Sequence, residues 1–283
     1  MSFTVNFGKC GLRSFDKPVV MGILNATPDS FFAGSRANND SEILNRAEQM
    51  ISEGAQMIDI GGFSTRPGAV EVSESEEMDR VCNAVSLVRK QYPDIIISVD
   101  TFRSSVAKES VVSCGADVIN DISAGALDEN LFATVAELGV PYILMHSLGN
   151  SVSAQQLEYA YSDFMGDIIK FFADKIDQLR LLGVKDIIVD PGFGFSKTMD
   201  QNYKLLANLK SFEIFKLPVL VGVSRKRMAW QVAETTIEES LNATTAINTL
   251  ALASGMTDIL RVHDVKAAVE AVKIWEKMLN SKC

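Results

Sequence analysis

A chain of 283 residues, 47% hydrophobic and 22% charged, can bury a full core, which excludes a disordered or low-complexity protein. The formal net charge of −9 speaks against a general binder of phosphate backbones, although a local basic pocket can still hold a small anion. Cys10, Cys82, Cys114 and Cys283 lack metal-type spacing and the first residues carry no apolar signal segment, so a reduced, cytoplasmic protein is expected. No Pro/Ser-rich bridge or charge run divides the chain, and residues 1–283 are expected to form one domain.

Residues 2–17 predict a short hairpin, in which Thr4, Val5 and Phe7, then Leu12 and Phe15, flank a GKCG turn; it is placed to plug the bottom of the main fold. The first core strand, residues 19–24, ends in NATPDSFF at 25–32, a polar loop too long for a minimal connection and of the kind that carries function. A helix capped by Ser41 is expected to run to Gly54. Residues 57–60 form the second strand and end in GGFSTRPG, which puts Arg66 in a loop bounded by Gly and Pro. A helix over 73–91 leads to a strand over 95–99 that ends in Asp100. Strands over 117–119 and 141–145 come after it, ending in Asn120-Asp121 and in His146. A long helical region, 157–182, then leads to residues 186–189, an apolar β-branched run with the length of a buried parallel strand. Asp190 comes next, trailed by Pro191, Gly192 and Gly194. A carboxylate at that place is costly to bury without a partner, and the glycines let backbone approach whatever the partner is. Residues 218–223 form the seventh strand, ending in SRKR; after a helix over 240–254, residues 258–262 form the eighth, running into His263-Asp264.

Eight strands alternating with helical segments predict parallel pairing with helical crossovers, and the count points to a (β/α)8 TIM barrel behind a short N-terminal hairpin. The G-x-G-x-x-G signature of a doubly wound dinucleotide fold is absent after the first strand. In a barrel every strand ends on one rim, so Asn25, Arg66, Asp100, Asn120, His146, Asp190, Lys226 and His263 are expected to face one cavity.

That rim divides chemically. Asp100, Asn120 and Asp190 offer mainly acceptors and suit a flat heterocycle with several N–H groups; Asn25, Thr65, Arg66, Arg261 and His263 suit a phosphate or diphosphate. Lys226, Arg261 and His263 lie after the last two strands, where barrels often bind phosphate. His146 reads as a buried structural histidine. No G-x-S-x-G elbow and no Cys/His metal cluster is present, which leaves at most a Mg²⁺ carried on a diphosphate with one or two protein oxygens.

The segments MGILNATPDSF, MIDIGGFSTRPGA, ISVDTF, GADVINDIS, YILMH, DPGFGFSKT, PVLVGVSRK and LRVHDV stand in the order and spacing of the dihydropteroate synthases. The chain resembles that family from about Met21 to its last helix. The resemblance implies joining of para-aminobenzoate to 6-hydroxymethyl-7,8-dihydropterin diphosphate in folate biosynthesis, in a homodimer that uses Mg²⁺ and is a sulfonamide target. It implies that Asp100, Asn120, Asp190 and Lys226 hold the pterin, with Met145 and Phe195 against its faces. It also implies that Asn25, Thr65, Arg66, Arg261 and His263 hold the diphosphate, with Asn25 on the metal, and that Thr65, Pro67, Lys226 and Arg227 receive para-aminobenzoate. Arg66, Lys226, Arg261 and His263 would then be the catalytic residues. The loops over 27–34 and 64–68 would close over the anion, and without ligand residues 31–39 and 63–70 are expected to be the least ordered rim segments. The chain departs from the family's commonest pattern at Ala33, at Phe63 where Glu is frequent, and at Ser147-Leu148-Gly149-Asn150, which bears on loop closure and sulfonamide response. A corrinoid-type pterin methyltransferase domain or a non-catalytic pterin-binding barrel is the alternative.

Overall fold

The computed structural model describes residues 2–26, 36–63 and 72–281. Strands β1 (Phe3–Asn6) and β2 (Leu12–Phe15) pair antiparallel as the expected hairpin. Eight strands then form one sheet: β3 (Val19–Asn25), β4 (Met57–Gly61), β5 (Ile96–Asp100), β6 (Val118–Asp121), β7 (Tyr142–Met145), β8 (Ile187–Asp190), β9 (Leu220–Val221) and β10 (Ile259–Val262). Their order is β8-β7-β6-β5-β4-β3-β10-β9, every pairing is parallel, and a bridge between Val189 and Val219 joins the two ends into the predicted barrel. Helices α1 (Arg36–Ser52), α2 (Glu74–Gln91), α3 (Ser104–Glu109), α4 (Leu131–Leu138), α5 (Val152–Gln155), α6 (Phe164–Leu181), α7 (Met199–Ala207), α8 (Arg227–Trp230), α9 (Leu241–Ala253) and α10 (Val265–Asn280) alternate with them. Among the described residues no helix is long and apolar enough to cross a membrane.

Three elements depart most from expectation. Helix α1 begins at Arg36, upstream of Ser41, because no Gly or Pro between 35 and 41 stops the helical ladder from extending. The region 157–182 is helical only from Phe164, since the Asp167 carboxylate collects the backbone N–H groups of Ser162 and Asp163 at 3.1 and 3.2 Å and fixes the start of α6 there. The segment ahead of it runs over the rim instead, with the Tyr161 hydroxyl donating to Ser196 O at 2.9 Å. Strand β9 has two residues rather than six, because beyond Val221 the chain turns off the ladder toward Lys226, whose N–H donates to Val223 O at 3.2 Å.

Side-chain alternation along the strands sorts the barrel into two cores. One parity, including Val20, Ile58, Ile60, Ile97, Val99, Ile119, Leu144, Val189, Val221 and Leu260, packs outward against the helices. The other parity, Val19, Met21, Met57, Ile96, Val118, Ile143, Ile188, Leu220 and Ile259, fills the barrel interior together with Phe3, Val5 and Phe7. The hairpin therefore does plug the barrel from below, and Phe7 is wholly buried there.

Candidate active site

The parity that fills the interior also selects what reaches the rim. Counting by twos from Met21, Met57, Ile96, Val118, Ile143, Ile188 and Ile259 leads to Asn25, Asp59, Asp100, Asn120, Met145, Asp190 and Arg261 with His263. The sheet register sets these side by side: Asp100 is level with Gly61 and Asn120, Asn25 with Gly61, and Met145 with Asp190.

Arg261 lies inside the acceptor group. Its Nε donates to Asp59 Oδ2 and its Nη2 to Asp100 Oδ2, both at 2.6 Å, and Asn120 Nδ2 donates to the same Asp59 oxygen at 3.0 Å. Asp59 is fully buried, and its other carboxylate oxygen has no partner among the described residues. Burial works against the Arg261 charge, but Asp59 and Asp100 outweigh it and hold the guanidinium protonated. Burial likewise pushes the Asp100 carboxyl up to about 7, against the pull of Arg261.

Asp190 is positioned by the Pro-Gly turn behind it. Its Oδ1 accepts from Gly192 N at 2.8 Å, a turn that Gly192 makes at φ 72° with its Cα pressed against the end of β7. A Cβ at 192 would stand 1.9 Å from His146 O, so this position admits only glycine. Burial raises the Asp190 carboxyl, opposed by Lys226, by the Gly192 N–H, by Arg261 and by Lys197. The Lys226 amino group donates to Phe193 O at 2.5 Å and stands 4.7 Å over the Phe195 ring. Burial lowers it to about 8, against the attraction of Asp190. Lys226 is aimed by its neighbour: Arg225, at φ 56°, is locked by a two-pronged pair with Asp264 at 2.7 and 2.9 Å. Phe195 and Met145 share an apolar cluster with Ile122, a greasy wall beside the polar row.

His263 directly follows β10 and faces the segment after β9, its Nδ1 and its backbone N–H each 3.1 Å from Ser224 Oγ, while its carbonyl accepts from Arg46 at 2.7 Å. Asn25 is half-buried at the end of β3. Arg227 is exposed at the start of α8, 3.5 Å from Gln231 Oε1. Thr65, Arg66 and Pro67 lie outside the described residues, as do the loops over 27–34 and 64–68 and, apart from residues 36–39 in α1 and Phe63, the segments expected to be least ordered. His146 is buried with its ring among Tyr161, Phe171 and Phe172; burial and the nearby Lys197 hold it neutral, in line with a structural histidine.

Two buried residues at this site escape the rim-by-rim reading. Asp59 lies one pleat below the rim, and the signal for it is a carboxylate in step with Met57 inside an otherwise apolar strand. Lys197 stands seven residues beyond Asp190, yet its amino group returns beneath the loop to His146 Nδ1 at 3.0 Å. No spacing rule marks that return.

Comparison with known proteins agrees with this geometry. The family described as "Pterin binding enzyme" matches residues 21–263. The dihydropteroate synthase of Escherichia coli K12 is 41% identical over 271 residues, covering 94% of this chain and 93% of that protein. Among solved structures, the Yersinia pestis dihydropteroate synthase in a sulfonamide complex is 41% identical with a TM-score of 0.87, covering 99% of this chain and 100% of that one. The Xanthomonas albilineans enzyme with 4-aminobenzoic acid is 33% identical with a TM-score of 0.89, covering 99% of each chain. Likeness of this extent, running through all eight barrel strands and the whole rim, shows the family: the chain belongs to the pterin-binding enzymes, and among them to the dihydropteroate synthases, transferases of folate biosynthesis.

Proposed function

We propose that the site condenses 6-hydroxymethyl-7,8-dihydropterin diphosphate with para-aminobenzoate by dissociative substitution, giving 7,8-dihydropteroate and diphosphate. The observation that carries this reading is the acceptor row of Asp100, Asn120 and Asp190 at one mouth of the barrel, with Lys226 above it and the Met145–Phe195 wall beside it. The amino-pyrimidinone edge of a pterin presents parallel N–H donors to Asp190, and its flat ring lies against the Met145–Phe195 wall, with the Lys226 amino group beside it. Asp100 and Asp190 favour positive charge on the ring as the carbon–oxygen bond to diphosphate breaks. Lys226 closes the ring face, while Arg66, Arg261 and His263 take the charge that builds on the leaving group. Arg261 is already oriented by Asp59 and Asp100, so it needs no reorganisation as charge builds on the leaving group. The neutral aniline nitrogen then attacks without prior deprotonation and loses its extra proton to solvent once the carbon–nitrogen bond has formed, its carboxylate received by Thr65, Pro67, Lys226 and Arg227.

Asn25 supplies a neutral amide oxygen at the end of β3, and among the described residues no cluster of three or more His, Cys, Asp or Glu could hold a metal by itself. That donor set fits a Mg²⁺ carried by the diphosphate, an ion that keeps most of its own oxygens and takes few protein ligands. When bound it would neutralise leaving-group charge. A homodimer is supported by the exposed Leu250 on α9 and the exposed Ile274 and Met278 on α10, two helices that pack on each other. Cytoplasmic placement rests on the cysteine usage.

The test is a product assay beside calorimetry: formation of dihydropteroate from the two substrates supports the reading, and heat of pterin binding without product sinks it. Arg66→Ala should lose on the order of 2–4 kcal/mol of transition-state stabilisation while leaving bare pterin binding within about threefold. Turnover within about twofold of the parent enzyme would remove Arg66 from the anion end. Acidity gives a separate check. The Asp100 carboxylate, whose ionisation burial raises to about 7, is needed to accept a pterin N–H, and it is gained as pH rises through that value. Pterin affinity should therefore fall about tenfold per pH unit on the acid side of 7. An affinity flat from about pH 5.5 to about 7 would show that Asp100 does not titrate on the binding path.

A further inference from the structure

The loop that carries Asp190 and Phe195 is pinned from two sides. From above, Lys226 takes the Phe193 carbonyl at 2.5 Å. From below, the buried Lys197 amino group takes the Gly192 carbonyl at 2.9 Å and the Phe195 carbonyl at 3.0 Å, and it ties both to the end of β7 through His146 Nδ1 at 3.0 Å and His146 O at 3.4 Å. An ammonium with three N–H donors is thus shared among four acceptors, all buried from water. The left-handed Ser196, whose Oγ donates to Leu148 O and accepts from Leu148 N, holds the same two segments together one residue earlier.

We propose that Lys197 is a positioning residue for the pterin site, fixing the Asp190 carboxylate through Gly192 and the Phe195 ring through its own carbonyl. This rests on the reading of Asp190 as the pterin hook. The linkage runs through one residue: Gly192 N holds Asp190 Oδ1 while Gly192 O is held by Lys197, so a displaced carbonyl turns the Gly192 backbone and shifts the adjoining N–H that aims the carboxylate. Phe195 N in turn donates to Gly192 O at 3.2 Å, so the ring moves with the same unit. Neither Lys197 nor His146 needs to touch substrate. Burial lowers the Lys197 amino group to about 7 against the attraction of Asp190, so the charge is held at a cost, as expected where an ordered loop depends on it.

The test compares the full-length protein with Lys197→Met and His146→Leu, each read by calorimetry with bare 6-hydroxymethylpterin, by calorimetry with inorganic diphosphate and Mg²⁺, and by steady-state kinetics. In Lys197→Met, the pterin dissociation constant and the KM for pterin diphosphate should rise at least about tenfold, with diphosphate binding and the KM for para-aminobenzoate within about twofold. His146→Leu leaves the ammonium three carbonyl acceptors, and its pterin affinity should drop about two- to fivefold with the same selectivity. A role confined to holding the fold together would lower the melting temperature and leave the KM values of the folded fraction in place. Should Lys197→Met fail to fold, His146→Leu decides: unchanged pterin affinity there overturns the proposal, as it does in Lys197→Met if that variant folds. A parent enzyme that fails to bind pterin at all overturns the functional reading instead, which keeps the two failures apart.

Discussion

Asp190→Asn is expected to weaken pterin binding by roughly 2–5 kcal/mol, the cost of mispairing a buried charge-assisted contact, while binding of a small dianion such as diphosphate changes little. The ionised carboxylate accepts two parallel N–H bonds; the amide offers one acceptor and one NH₂ that points at a donor. The melting temperature should stay nearly unchanged or rise slightly. Removing the carboxylate relieves the burial that raises its pKa, but it also takes a counter-charge from Lys226, Arg261 and Lys197, and the two effects oppose each other. The raised pKa sets the sign with pH: above the unfolded carboxylate value the folded protein binds the extra proton, so ionising Asp190 costs stability as pH rises, and Asp190→Asn removes that loss. Isothermal titration that finds pterin affinity within about threefold of the parent protein would remove Asp190 from the role of pterin hook.

Arg261→Met should be the most destabilising substitution at the rim. Among the described residues it leaves the fully buried Asp59 with only the Asn120 amide, and it takes the Arg261 cation from Asp100. Breaking a buried pair from one side costs about 3–5 kcal/mol, because the remaining charge stays behind unpaired. For a chain of this size the melting temperature should drop by roughly 6–20 °C. Adding Asp59→Asn to Arg261→Met should restore about half of that loss or more, since the orphaned charge is then gone, and the restoration measures the coupling between the two sites. Thermal melts in which the double substitution is the sum of the singles would show that Asp59 and Arg261 act independently. Turnover should stay low in both, because neither variant returns a cation to the leaving group.

The hairpin, the eight strands, the parallel crossovers and most of the rim were determined by the sequence itself. Apolar runs ended by polar residues at a βα period leave little freedom, and a barrel puts all such ends on one face, so the sequence by itself places Asp100, Asn120, Asp190, Lys226 and His263 on one rim. Only the tertiary structure decided how the charges pair. Arg261 reads in the sequence as a cation for an anion, but the barrel sets β10 against β3 and aims its guanidinium across the interior to Asp59 and Asp100 on β4 and β5, contacts of 202 and 161 residues' separation. The support beneath the Asp190 loop is likewise a product of folding. Lys197 is near Asp190 in the chain, but its acceptor on His146 is 51 residues away and becomes its neighbour because β7 and β8 pair in register at Met145 and Asp190. Local patterns fix which residues lie on a strand and which face they take, because these depend on a two-residue period; partners across a closed barrel depend on strand order and register, which no local period encodes.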